Sequence, residues 1–338
     1  MAQFVYKCEQ PFELESGKSL LEVEIAYTTF GTLNADKSNV VWICHAFSAN
    51  SDPSEWWPGM VGEGKYFDPK TYFIVCANIL GSCYGTTGPL SINPATKQPY
   101  YGDFPVITIR DIVKGLDLVR AHLKIEKIYF GLGFSMGGQQ LLEWVIEKQS
   151  CFENILLGAT NIKHSPWGIA FNESQRLAIE ADSTFGNPSS DAGKAGMMAA
   201  RSIGLISYRN YQAYCKTQPE PSNDNFDDFK ASSYQKYQGE KLAKRFNAYT
   251  YWILSKAMDS HNILRKRSNN PSDVLSQIKV NTMVLGINSD YLFPLTEQKV
   301  LAYNIPGSQF ITIDSEFGHD GFLLEFEQIK VVLDDFLK

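Results

Sequence analysis

The segment that most narrows the possible folds is Gly133-Phe134-Ser135-Met136-Gly137-Gly138. It is entered from an apolar, β-rich run, Lys127–Leu132, and leads straight into helical Gln139–Val145. A strand that turns this abruptly into a helix is crowded, and small residues around the serine relieve the crowding and leave its hydroxyl exposed at the sheet edge, as in a nucleophile elbow. The alternative for the same residues is a glycine-rich helix start with Ser135 as its cap. Phosphate-binding readings fail on residue identity. Gly131 and Gly133 begin G-x-G-x-x-G, but Met136 stands where the third glycine belongs, and no G-x-x-x-x-G-K-[ST] string occurs.

The surrounding pattern fits an α/β core. Asn39–Cys44, Tyr72–Ala77 and Lys127–Leu132 read as strands, and Ile109–Leu123 places Ile112, Val113, Leu116 and Val119 on one helix face. Thr282–Ile287 and Gln309–Ile313 continue the strands, and Glu325–Leu337 closes the chain as a helix. This alternation predicts a mostly parallel sheet with crossover helices. From about Ser165 to Arg267 the chain instead carries helical stretches and an exposed polar loop, Thr217–Asn225. The expected organisation is a core of residues 1–165 and 268–338 with a helical lid at 166–267, over the strand ends where ligands bind in such sheets.

Composition removes other classes. With 338 residues, 20% charged, 13% aromatic and a net charge of -6, the chain is neither a disordered polymer nor a polycation suited to nucleic acid. No apolar run is long enough to span a membrane, and the first residues do not read as a signal peptide, so the expected location is cytoplasmic with no membrane partner. Six scattered cysteines without a C-x-x-C pair point to reduced core thiols rather than disulfides or a metal site.

A serine hydroxyl needs a base, and the base needs an orienting group. His319, in Gly318-His319-Asp320-Gly321, falls between the last strand and the last helix, and Asp290 follows directly on the strand ending at Ile287. The chain order Ser135, Asp290, His319 is that of elbow-type folds. His319 as a helix-start residue and Asp290 as a turn residue are the alternatives for each taken alone. The oxyanion hole is assigned to the backbone N–H groups of Met136 and Phe47, the latter in Cys44-His45-Ala46-Phe47-Ser48, with His45 holding that loop.

Over nearly its whole length the sequence resembles the homoserine O-acetyltransferase family, the α/β-hydrolase-fold acyltransferases of methionine biosynthesis. The resemblance rests on Glu55–Gly59, Phe73–Pro89, Asp103–Asp111, Ala200–Arg209, Tyr237–Lys241, Ser289–Pro294 and Gly318–Leu323, in that order. It implies an α/β-hydrolase fold and puts Ser135, Asp290 and His319 on the triad positions. It also implies that Arg201, Tyr208 and Asp320 hold the amino-acid substrate, consistent with a guanidinium fork for its carboxylate and a carboxylate for its ammonium. Without the family match, Arg201 reads as a surface charge and Tyr208 as a core aromatic. The implied reaction is ping-pong acetyl transfer from acetyl-CoA to L-homoserine through acyl-Ser135, with no bound cofactor and no metal. A homodimer joined through the lid is also implied. Phe134 and the Ala46–Asn50 run depart from the family pattern, with Phe134 and Ala49 placed to reshape the acyl pocket. Asn247 and Asn262 stand where aspartate is common. A succinyl donor, a serine acceptor, an ester hydrolase and a non-catalytic binding protein remain open alternatives.

Overall fold

The computed structural model describes residues 1–338. Eight strands build one sheet: β1 (Ala2–Cys8), β2 (Val23–Phe30), β3 (Val40–Cys44), β4 (Phe73–Ala77), β5 (Ile128–Phe134), β6 (Phe152–Gly158), β7 (Asn281–Ile287) and β8 (Gln309–Ile313). Their spatial order is β1-β2-β4-β3-β5-β6-β7-β8. β2 runs antiparallel to β1 and β4, and the other neighbouring pairs are parallel. The five runs expected from sequence are all strands: β3, β4, β5, β7 and β8. β1, β2 and β6 were not read there, because β1 is largely exposed and β6 directly follows a helix without a turn signal.

Helices α1 (Pro53–Trp56), α2 (Ile109–His122) and α3 (Met136–Lys148) lie in the first half. Thr108 and Asp111 form a reciprocal capping box that starts α2 where the apolar face begins. Between β6 and β7 come α4 (Pro166–Glu180), α5 (Lys194–Tyr208), α6 (Tyr211–Thr217), α7 (Lys230–Ala243), α8 (Ala248–Asp259) and α9 (Pro271–Leu275). No strand lies within 166–267. Its two ends pair as short antiparallel segments, His164 N donating to His261 O and Ile263 N to Ile162 O, both at 3.0 Å. α10 (Leu295–Asn304) and α11 (Phe326–Phe336) complete the chain.

Between its two edge strands the sheet is buried on both faces. Trp42, Val75, Ile128 and Val284 pack against α2 and α3, whereas Val41, Ile43, Phe130, Leu132 and Leu285 pack against Trp57 and α11. The chain leaves β3 toward β4 on one side and returns to β5 on the other. This reversal puts the carboxyl ends of β3 and β5 side by side, with Cys44 opposite Gly133. A crevice is expected there from topology alone.

All six thiols are free: Cys44 and Cys76 are buried, and Cys8, Cys83 and Cys151 are partly buried against the core, so packing accounts for all but Cys215, which is exposed on α6. No helix is long and apolar enough to cross a membrane. An ionic network also ties the core together: Glu143, almost wholly buried on α3, accepts from Arg110 Nε at 2.8 Å and Arg267 Nη2 at 2.5 Å, while Arg110 and Arg265 share Glu15. It joins the N-terminal loop, α2, α3 and the chain leaving the helical insertion.

Removing one member of such a network leaves buried charge uncompensated. Glu143→Ala is expected to cost about 3–5 kcal/mol by urea unfolding. A midpoint unchanged from the parent protein would show that Glu15 and Glu147 suffice for the arginines.

Candidate active site

The turn after β5 is shaped by close backbone approaches. A Cβ at Gly133 would lie 2.2 Å from Gly137 O, and one at Gly137 would lie 2.1 Å from Cys44 O. Only glycine permits both contacts, and the second brings the start of α3 against the end of β3. Ser135 itself has φ 58° and ψ -127°, a sparsely populated conformation for a residue with a side chain. It is held by Ser135 N donating to Gly158 O and Thr160 Oγ1 donating to Ser135 O, both at 3.0 Å. With its backbone anchored, Ser135 turns its side chain into a cavity of about 170 Å³. This is an elbow, and the capping alternative fails: Ser135 makes no side-chain cap bond to α3.

His319 lines the same cavity on a 3₁₀ turn, Gly318–Leu323, that follows β8. Its Nδ1 lies 2.6 Å from Asp290 Oδ2, and the Asp290 side chain is fully buried. Asp290 Oδ1 accepts from the Leu292 and Phe293 amides at 2.8 Å each, so the carboxylate is fixed before it receives the imidazole N–H. That bond leaves Nε2 as the acceptor on the cavity side. The Phe293 ring stacks on the imidazole at 5.1 Å and Phe322 meets it edge-on at 5.6 Å. Burial pushes the His319 pKa down, but the charge and hydrogen bond of Asp290, with the charge of Asp320, outweigh it and raise it above 6.5. Ser135 Oγ makes no hydrogen bond in this structure; such bonds commonly tighten only with substrate bound.

The loop after β3 supplies the second amide. Ala46 O accepts from His45 Nδ1 at 2.9 Å and from Ala49 N at 3.0 Å, which fixes the Ala46–Phe47 peptide plane. In a trans peptide the N–H points opposite the C=O, so Phe47 N–H is directed away from those two donors. It has no acceptor in the protein. Met136 N–H is the first amide of α3 and has no intrahelical acceptor either. The Met136 side chain is buried and does not reach the cavity, so only its amide can take part. His45 receives the Ile79 amide on Nε2, and burial lowers its pKa to about 4, so it stays neutral and holds the loop.

Arg201, Tyr208 and Asp320 all line this cavity. Arg201 Nε is buried without a partner, and its guanidinium lies 5.4 Å from the Tyr208 ring centre. A buried, unsatisfied guanidinium donor facing a cavity is suited to an anionic ligand. Asp320 Oδ2 is occupied by Arg209 Nε at 3.2 Å, a partner that nothing in the periodicity signalled. Gly318, at φ 65°, lets the backbone of Tyr208–Asn210 pack directly on the His319 turn. Arg245 and Trp56 also line the cavity and were not assigned a role from sequence.

The departures from the family pattern have local explanations. Ala49 lines the cavity, whereas Phe134 does not. The Phe134 ring sits behind it, stacked on Phe322 at 4.8 Å and edge-on to Trp57 at 5.6 Å, in space that a side chain at residue 158 would need. Asn247 caps α8 by accepting from Thr250 N at 2.9 Å, and Asn262 accepts from Leu264 N at 3.0 Å. A carbonyl oxygen serves these turns as well as a carboxylate does.

The alpha/beta hydrolase fold family matches residues 39–326. The homoserine O-acetyltransferase of Cyclobacterium marinum is 49% identical over 336 residues, covering 99% of this chain and 95% of its own length. That of Nostoc punctiforme is 42% identical, covering 97% and 94%. Among solved structures, a homoserine O-acetyltransferase from Bacillus anthracis superposes with a TM-score of 0.91 at 23% identity, covering 100% of this chain and 97% of its own. An acetylester hydrolase from Corynebacterium glutamicum is also similar, with a TM-score of 0.87 at 22% identity, covering 99% and 96%. The two structures share the fold, and it is the sequence relatives that separate transferase from hydrolase.

A base must be neutral to accept a proton, so a raised His319 pKa moves the loss of basic function to a higher pH. In the free protein, NMR titration of His319 should give a pKa above 6.5. In Asp320→Asn the value should fall, because one of the charges favouring the protonated ring is gone. An unchanged value would show that Arg209 already cancels the Asp320 charge at the imidazole.

Proposed function

The chain belongs to the homoserine O-acetyltransferase family, and on that premise we propose that it transfers the acetyl group of acetyl-CoA to the hydroxyl of L-homoserine through an acyl-Ser135 enzyme, a step of methionine biosynthesis. In the first half-reaction His319 Nε2 takes the Ser135 proton as Oγ attacks the thioester. The Phe47 and Met136 amides stabilise the oxyanion, and the CoA thiol leaves with the proton from His319. In the second, His319 deprotonates the homoserine hydroxyl as it attacks the ester, and returns that proton to the departing Ser135 Oγ as O-acetylhomoserine is released. Asp290 keeps the imidazole in the required tautomer and stabilises its charged form.

The observation that carries the amino-acid acceptor is Arg201. Its buried Nε has no protein partner, and it shares the cavity with Ser135 and Asp320. A zwitterion fits this pair, with its carboxylate on the guanidinium and its ammonium on the Asp320 oxygen that Arg209 leaves free. Ala46, Trp56, Phe322 and Leu323 supply the apolar remainder, suited to a methyl group. Transfer prevails over hydrolysis when the bound alcohol has a large effective-concentration advantage over water. The helical insertion contributes Arg201, Tyr208, Arg245 and Met258 to the cavity, and in this reading it acts as the lid that keeps water out.

Thiol release from acetyl-CoA is expected to depend on homoserine, with a transient acetyl mass on a Ser135 peptide. Release that ignores homoserine would mark a hydrolase, and faster release from succinyl-CoA would name a different donor. Serine differs by one methylene, for which a pocket discriminates by about 1–3 kcal/mol, so it is the informative competitor. Arg201→Met should raise the KM for homoserine at least tenfold, since a charge-assisted bond contributes about 1.5–3 kcal/mol, while leaving the burst of acetyl-enzyme formation intact. Loss of the burst would instead place Arg201 in the first half-reaction.

A further inference from the structure

The turn Ala46–Ala49 carries the Phe47 amide and is gripped from two sides. On one side, the turn's own Ala49 N and the preceding His45 Nδ1 fix the Ala46 carbonyl. From the insertion comes Arg245, in the link between α7 and α8. Its Nη1 donates to Ser48 O at 2.6 Å and also bonds the Tyr84 hydroxyl. Both partners are neutral oxygens, so one nitrogen of a cationic side chain at the edge of the cavity is committed to a loop carbonyl and a phenol. The neighbouring residues reinforce the grip: Cys83 Sγ donates to Arg245 O, and the Phe246 ring sits beside Phe47 at 6.4 Å and Tyr84 at 6.0 Å. Tyr251 of α8 meets the Phe47 ring edge-on at 4.9 Å.

Fixing the Ala46 carbonyl sets one side of the Phe47 peptide, but the turn can still rock about that anchor unless its far side is held. The Ser48 carbonyl is that far side. We propose that Arg245 is a positioning residue for the oxyanion site, holding the Ser48 carbonyl so that the Phe47 amide keeps its aim at the oxygen that becomes negative above Ser135. The inference rests on the assignment of Phe47 N–H as an oxyanion donor. It implies that the insertion, besides covering the cavity, completes the catalytic geometry of the core.

Arg245→Met removes the grip without adding bulk, and a displaced oxyanion donor costs up to the 10²–10³-fold of a lost one. The rate of acetyl-enzyme formation is expected to fall roughly 10- to 100-fold, in keeping with that range, with the KM for homoserine unchanged. Arg245→Lys should restore part of the rate, because an ammonium can also donate to Ser48 O. The assay runs with acetyl-CoA and, in parallel, S-acetylpantetheine, which lacks the phosphates. Equal fractional loss with both donors supports positioning. Loss confined to acetyl-CoA would make Arg245 a phosphate contact and overturn the proposal, as would an unchanged rate. Thermal melting of each variant accompanies the kinetics. If Arg245→Met does not fold, Tyr84→Phe loosens the same guanidinium, and a rate equal to the parent's would overturn the proposal. Homoserine-dependent release by the parent protein tests the underlying activity separately.

Discussion

The contact on which the site depends is the approach of the α3 N-terminus to the end of β3, where Gly137 faces the Cys44 carbonyl at a distance that excludes any side chain. It sets Ser135 on the same cavity as the Ala46–Ala49 turn. Sheet topology brings the two strand ends together, and the glycine lets their loops pack main chain to main chain. The cost is the unusual backbone of Ser135, of order 1–3 kcal/mol, borne by a sheet buried on both faces.

Electrostatics then divides the cavity. On one side, Asp290 is held dry by two amides and gives His319 a fixed tautomer. On the other, Arg201 is left with unused hydrogen-bonding capacity while Arg209 is spent on Asp320. The same residue type therefore meets two environments: one arginine keeps an unpartnered Nε beside the cavity, and another is paired with the carboxylate that follows His319. The distinction lies in partners rather than in sequence position.

Much of this was legible before the structure. The elbow could be read because its glycines and serine are contiguous, and Asp290 and His319 because each follows a strand with clear β composition. Arg201, Tyr208 and Asp320 came from family resemblance, since helical periodicity alone gives a charge and an aromatic no reason to face a cavity. Arg209 and Arg245 escaped because their partners, Asp320 and Ser48, are 111 and 197 residues away in the chain. Phe134, expected to reshape the acyl pocket, does not line the cavity but backs it, stacked on the lining residue Phe322 and edge-on to Trp57.

The packing of Gly318 against the backbone of Tyr208–Asn210 has a mechanical meaning. The end of α5 and the turn that carries His319 touch main chain to main chain, with no flexible side chain between them to absorb displacement. The insertion and the turn carrying His319 are therefore coupled through main-chain contact between residues about 110 positions apart in sequence. An exchange of insertions between relatives would have to carry the Gly318 turn along with the helices, because the graft boundary that matters is this contact rather than the ends of the inserted segment.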